Sequence, residues 1–215
     1  MILITRPQND AKSLSDILEK LGYQCLSEPM MEIKQLNIDL NRYINNDLQA
    51  FVLTSSNVIL PKSYKTIIKI PQHGKNAREL LEYIKANLSK DDGKIIHLSG
   101  NVITLDIAAK LRDEGFDAEN IITYETEYAD KLSAELINNL ENIKIATFFS
   151  ILSLKNFVYL IDKYRLSDKL KNIKMVCLSE KIAQSGKANL WKEIIISDQP
   201  NQQSLIDRLQ ETHNT

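Results

Sequence analysis

Ile95-Ile96-His97-Leu98-Ser99-Gly100-Asn101 is the stretch from which the fold can be read. Four residues able to fill a strand run straight into a small polar turn. A helical stripe of Ile103, Ile107, Ala108 and Leu111 follows, Gly115-Phe116 ends it, and Ile121–Tyr124 returns as a strand. The same plan opens the chain. Ile2–Ile4 leads into Thr5-Arg6-Pro7, then Ala11, Leu14, Ile17, Leu18 and Leu21 share a face, Gly22 stops the helix, and Tyr23–Met30 is extended. A shorter copy lies near the end: Met175–Leu178, the turn Ser179-Glu180, Ile182 and Ala183, Asn189 in the left-handed role of the glycine, and Ile194–Ile196.

Between these copies, Phe51–Leu53 runs into Thr54-Ser55-Ser56-Asn57. Ala146–Phe149 runs into Ser150, with helical spacing over Leu152–Tyr164. Ala77–Leu88, Lys131–Leu140 and Gln203–Thr212 read as further amphipathic helices. Strands that alternate with helices imply parallel crossovers, and short continuous apolar runs imply sheets covered on both faces. The expected fold class is α/β with two open parallel-sheet, flavodoxin-like domains. Glu32–Gln35 and Tyr124–Tyr128 are extended without strong apolar character, and we expect the chain to cross between domains there. Residues 1–33 with 128–215 then form a discontinuous domain, and residues 34–127 an inserted one.

The 215 residues carry a net charge of -1, so no basic excess marks a nucleic-acid partner. Cys25 and Cys177 sit in separate apolar runs and read as free buried thiols; no Cys/His spacing suits a metal. The Arg at position 6 follows the first apolar run rather than preceding it, unlike a signal peptide. No window approaches the ~20 apolar residues of a membrane span. These features predict a cytoplasmic protein with no membrane contact.

In parallel sheets, ligands meet the carboxyl ends of the strands. Those ends carry Thr5-Arg6, Thr54-Ser55-Ser56-Asn57, Ser99-Gly100-Asn101, Ser150 and Ser179-Glu180-Lys181. Each is expected to precede a helix, so that free N–H groups and the helix dipole point the same way, and such ends bind carboxylates or phosphates. Any one Ser, Thr or Asn is more often an ordinary N-cap; the collective bias carries the functional reading. Dinucleotide, Walker and G-x-S-x-G motifs are absent from the sequence. His73, His97 and His213 form no constellation, and each reads as structural or solvated.

The ordered series Ile2-Leu-Ile-Thr-Arg-Pro7, Phe51-Val-Leu-Thr-Ser-Ser-Asn57, Leu98-Ser-Gly-Asn101, Ile122-Thr-Tyr-Glu-Thr126, Thr147-Phe-Phe-Ser150 and Cys177-Leu-Ser-Glu-Lys-Ile-Ala183 resembles the uroporphyrinogen-III synthase family. The resemblance implies two α/β domains on a two-stranded linker with the active site in the cleft. It implies a cofactor-free, metal-free cyclising hydro-lyase of heme biosynthesis, acting as a monomer on the linear tetrapyrrole hydroxymethylbilane, with a transient contact to the preceding deaminase. Water is lost, an azafulvene attacks ring D to give a spiro intermediate, and the ring closes as uroporphyrinogen III. Tyr124 matches the family tyrosine and is the expected proton donor. The expected substrate-binding residues are Arg6, Thr54, Ser55, Ser56, Ser99, Gly100, Asn101, Ser150, Ser179 and Lys181.

Two departures stand out. Thr66–Ile70 passes almost directly through Pro71–Lys75 to the helix at Ala77, so roughly one βα unit, on the order of 30 residues, is missing from the family plan. Lys181 and Ile182 also replace the threonines usual at the last turn. The rival reading is a non-catalytic bilobal module that binds anions or tetrapyrroles and has lost part of its cleft.

Overall fold

The computed structural model describes residues 1–60, 67–69, 72–73 and 76–213. In chain order the elements are β1 (Ile2–Ile4), α1 (Gln8–Lys20), β2 (Cys25–Ser27), β3 (Met31–Gln35), β4 (Leu48–Leu53), β5 (Ile67–Lys69), α2 (Ala77–Asn87), β6 (Lys94–Gly100), α3 (Ile107–Asp113), β7 (Ala118–Tyr128), α4 (Ala134–Asn139), β8 (Ile145–Phe148), α5 (Ile151–Lys163), β9 (Lys174–Cys177), α6 (Glu180–Gln184), β10 (Glu193–Ile196) and α7 (Gln202–His213). The chain divides into two units, Met1–Glu32 with Glu127–Thr215, and Ile33–Thr126.

The first unit is a five-stranded sheet in the order β10-β9-β8-β1-β2, with every neighbouring pair parallel. Counted within the unit, this is strand order 2-1-3-4-5, the doubly wound arrangement expected from the strand-helix alternation. Its strands are mostly apolar because both faces are covered, with polar residues such as Lys174 and Glu193 confined largely to the strand ends. Ile2 and Ile4 face α1 and α7 through Leu14, Leu18, Leu205 and Leu209. Leu3 points the other way, into the core under α4, α5 and α6. That second core holds an aromatic cluster, with Phe148 5.4 Å from Phe157 and 5.6 Å from Trp191 between ring centroids.

The second unit has the order β3-β7-β6-β4-β5, in which β4 pairs β5 and β6, and β6 pairs β7, all parallel. β3 lies at the edge. Its flanks bond β7 through Leu36 N–H to Thr123 O and Ala129 N–H to Met30 O, so residue numbers fall on one strand as they rise on the other. α2 and α3 cover one face through Leu80, Ile84, Ile107 and Leu111. The other face buries Phe51, Leu53, Ile96 and Leu98 beneath Leu40 and its neighbours.

Three sequence expectations need correction. Ile103 does not join the α3 stripe: the helix starts at Ile107 because Asp106 caps it, its carboxylate accepting from Ala109 N–H at 2.9 Å. Asn189 is not the left-handed residue after α6. Lys187 takes that conformation, at φ 50°, while Gly186 packs closely on Leu154 and Met175. The span Tyr23–Met30 is not one strand, since only Cys25–Ser27 pairs with β1 before the chain turns into β3. Gly22 and Gly115 do end their helices, both at φ +89°. Much of the Thr66–Lys75 stretch lies outside the described residues.

Candidate active site

Strand order fixes where each sheet can hold a ligand. In the second unit the chain leaves β4 for β5 on one side and leaves β6 for β7 on the other, so the crevice opens between the carboxyl ends of β4 and β6. A cavity of about 390 Å³ lies there. Thr54 and Ser55 line it from the end of β4, Gly100 from the end of β6, and Val102–Leu105 from the loop before α3. Asn76 and Ala77 bring the N-terminus of α2, and Tyr124 comes from β7.

Tyr124 and Gly100 belong together. β6 and β7 slip register between Ser99 and Gly100, which sets Gly100 opposite Tyr124. A Cβ on Gly100 would lie 2.4 Å from Cε2 and 2.6 Å from Cζ of Tyr124, so the ring lies on the bare glycine backbone. Only 7% of Tyr124 is exposed, and the residue lines the cavity. A phenol O–H in a cavity wall is a donor and an acceptor that a ligand can meet.

The α2 end is capped within the wall of the cavity. Asn76 Oδ1 accepts from Arg78 and Glu79 N–H groups, at 3.0 and 3.1 Å, and Asn76 Nδ2 donates to Glu79 Oε1 at 2.9 Å. This is a reciprocal capping pattern. Sequence reasoning passed over Asn76. The signal was present as Asn-x-x-Glu ahead of an apolar helix. His97 was also read as merely structural. It is fully buried on β6, with Nε2 3.3 Å from Thr54 Oγ1. Burial pulls its pKa down to about 4, against weaker upward pulls from Asp106 and Asn120, so the ring is neutral at pH 7.

The expected ligand groups therefore divide. Thr54, Ser55, Gly100 and Tyr124 share one cavity. Ser99 is buried and turns its hydroxyl onto the Gly100 carbonyl, 3.0 Å away. Asn101 accepts from Thr126 N–H at 2.8 Å, which extends the β6–β7 contact past the strand end. Ser56 is exposed. The expectation that every polar turn sits on a helix N-terminus fails here, because Ser99 and Gly100 are still strand residues and Asp106 holds the cap.

In the first unit the corresponding crevice lies between β1 and β8, and its hydroxyls are already paired. Thr5 Oγ1 donates to Thr147 O at 2.8 Å, and Ser153 Oγ lies 2.9 Å from Thr5 O and 3.0 Å from Thr5 Oγ1. Ser150 is the α5 N-cap, accepting from Ser153 N–H at 3.1 Å. Arg6 gives one nitrogen to Asp10 and another to Gln202, each at 2.6 Å, with its guanidinium 4.3 Å from the Phe149 ring centroid. Ser179 begins α6 without a side-chain cap bond, and Lys181 is exposed.

The helix starts of this unit are met by the chain's own acids. Glu32 accepts from Gln8 N–H at the start of α1, at 2.8 Å. Glu28, which is buried, accepts from Ser133 N–H at 2.7 Å and from its hydroxyl at 2.6 Å, at the start of α4. Carboxylates held in this way show that these ends suit anions. Among the described residues, no three or more His, Cys, Asp or Glu side chains are grouped to hold a metal ion, and no helix is long and apolar enough to cross a membrane.

Comparison with known proteins places this arrangement. A family model described as uroporphyrinogen-III synthase HemD matches residues 62–207. Among solved structures, the uroporphyrinogen-III synthetase of Helicobacter pylori 26695 is similar with a TM-score of 0.61 at 14% identity, over 98% of each chain. A mutant uroporphyrinogen III synthase from the extremely thermophilic bacterium Thermus thermophilus gives 0.53 at 12% identity, over 99% of this chain and 98% of that one. At such identities the structural likeness is one of fold. No curated protein sequence matches the chain. The family match covers well over half of the sequence and runs through β6, Gly100, Tyr124 and every later strand, and on that ground the chain belongs to the uroporphyrinogen-III synthase family.

Proposed function

We propose that this chain catalyses the family reaction through the cavity at the ends of β4 and β6. Hydroxymethylbilane loses its hydroxyl as water, ring D is inverted, and the macrocycle closes as uroporphyrinogen III. The observation that carries this placement is Tyr124: a phenol ring packed against Gly100 in the wall of the cavity. The departing hydroxyl needs a proton to leave as water. Tyr124 O–H is the group poised to give it, and the azafulvene left behind needs no further activation. What remains is conformational control, because closure without guidance gives the uninverted isomer. The capped α2 terminus and the Thr54 and Ser55 turn supply fixed dipoles that hold the substrate without a large net charge. The apolar lip of Val102, Ile103 and Leu105 suits pyrrole faces.

We read the second unit as a trimmed form of the family plan, and the protein as a cytoplasmic monomer that meets the preceding deaminase transiently. The test is direct. Freshly made hydroxymethylbilane is given to the purified protein and the isomers are separated; formation of the type I product alone, as in buffer, rejects the reaction. Tyr124→Phe should lower the type III rate by roughly a hundred-fold, as loss of a general acid does, with little change in stability. An unchanged rate removes Tyr124 as the donor while leaving the reaction in place.

A further inference from the structure

The buried pair behind Thr54 determines what that residue can bind. His97 is fully buried, and its Nε2 lies 3.3 Å from Thr54 Oγ1. Its Nδ1 is buried with no hydrogen-bond partner, and so is Oδ1 of Asn120. The two residues are direct partners across β6 and β7, and Asn120 sits close enough to favour the protonated ring although no bond closes between them.

A neutral imidazole has one N–H and one lone pair. With the proton on Nε2, the lone pairs of Nδ1 and Asn120 Oδ1 would face each other in a dry core, leaving two unsatisfied acceptors. With the proton on Nδ1, a small closing movement satisfies both atoms. Nε2 then has only its lone pair to offer, and the Thr54 hydroxyl must donate to it. The proton of Thr54 is thereby committed inward, and its remaining lone pairs face the cavity it lines.

We infer that His97 and Asn120 set the Thr54 hydroxyl as a hydrogen-bond acceptor, so that Thr54 reads an N–H donor on the ligand rather than a carboxylate. This rests on the proposed function for the identity of the donor: a tetrapyrrole carries pyrrole N–H groups, while its carboxylates are acceptors that such a hydroxyl repels. His97 is a positioning residue acting through Thr54, and Thr54 is the residue that touches the substrate. The carboxylates are left to the N–H groups and dipoles elsewhere in the wall.

Two measurements on the whole chain test this. With only three histidines present, ¹⁵N-histidine labelling isolates the His97 signals as those lost in His97→Gln. The expected spectrum at neutral pH has the proton on Nδ1 and a bare Nε2. A proton on Nε2, or on both, overturns the inference without any variant having to be active.

The second measurement is a double-mutant cycle on hydroxymethylbilane turnover. Thr54→Val should lower kcat/KM roughly ten-fold, the worth of one hydrogen bond, while Thr54→Ser retains most of it. His97→Gln should cost a similar factor alone and nothing more in the Thr54→Val background. Equal losses in both backgrounds mean that His97 does not act through Thr54, and the positioning role falls. If the wild type yields no type III isomer while the tautomer is as expected, the reaction assignment fails and the acceptor assignment stands.

Discussion

Gly100→Ala puts the coupling between strand register and Tyr124, the proposed proton donor, to a quantitative test. Gly100 lies outside the left-handed region, so alanine adds no backbone strain and the whole effect must come from the new methyl group. That carbon would stand 2.4 Å from Tyr124 Cε2 and 2.6 Å from Cζ. Non-bonded carbons rest at about 3.5–4.0 Å, so the ring must retreat by on the order of 1 Å. Overpacking of this kind costs about 1–3 kcal/mol, which urea titration of the purified protein resolves. If Tyr124 is the donor proposed above, the same displacement should also lower the type III rate on the order of a hundred-fold, as misplacement of a reacting group by about 1 Å does. The decisive comparison is made in a Tyr124→Ala background. With no ring to strike, Gly100→Ala should cost almost nothing in stability there. If the penalty is the same in both backgrounds, the contact between glycine and ring is not what position 100 provides, and the account of the site geometry is refuted.

Other consequences can be measured with the same protein. His97 titrates at about 4 in the fold against 6.5 in a free chain, with Asp106 the charged group acting on it. Between those values the unfolded chain holds a proton that the native ring refuses, so stability should fall as pH drops from about 6.5 to 4, by about 3 kcal/mol in all. Urea midpoints across that range should therefore decline more steeply for wild type than for His97→Gln, and parallel declines would show that the ring is not the source. Glu28→Gln should destabilise the first unit by about 1–3 kcal/mol, because a buried charge-assisted pair of bonds to Ser133 is weakened at the α4 start. Ser150→Ala should cost about 1 kcal/mol and leave KM for hydroxymethylbilane unchanged, since its oxygen caps α5; a raised KM would return Ser150 to the binding surface.

These variants separate two kinds of residue that look alike in the sequence, and the reason bears on how much could be read there. The sheets were legible because parallel strands covered on both faces are mostly apolar, which makes runs such as Ile2–Ile4 and Ile95–Leu98 hard to place elsewhere. Gly22 and Gly115 were legible because only their conformation ends a helix in that way. The polar turns carried no such constraint. Ser150 and Thr54 both follow a strand, yet one oxygen is spent on a backbone N–H three residues away, while the other meets a histidine 43 positions later. Arg6 presents the same difficulty at greater range, since the glutamine that holds it lies 196 positions on.

Sequence spacing reports the period of a strand, but it does not report which strands pair. Only pairing reveals the use of a hydroxyl. Once β4 and β6 are neighbours with Val52 opposite His97, the two-residue period places Thr54 on the same face as the imidazole, one step along. The histidine that reads as a polar misfit in an apolar strand is then the residue that decides which way the Thr54 proton points. In open α/β sheets the chemistry of a strand-end residue is thus set jointly by its neighbour's register, and that quantity becomes readable only after the strand order is known.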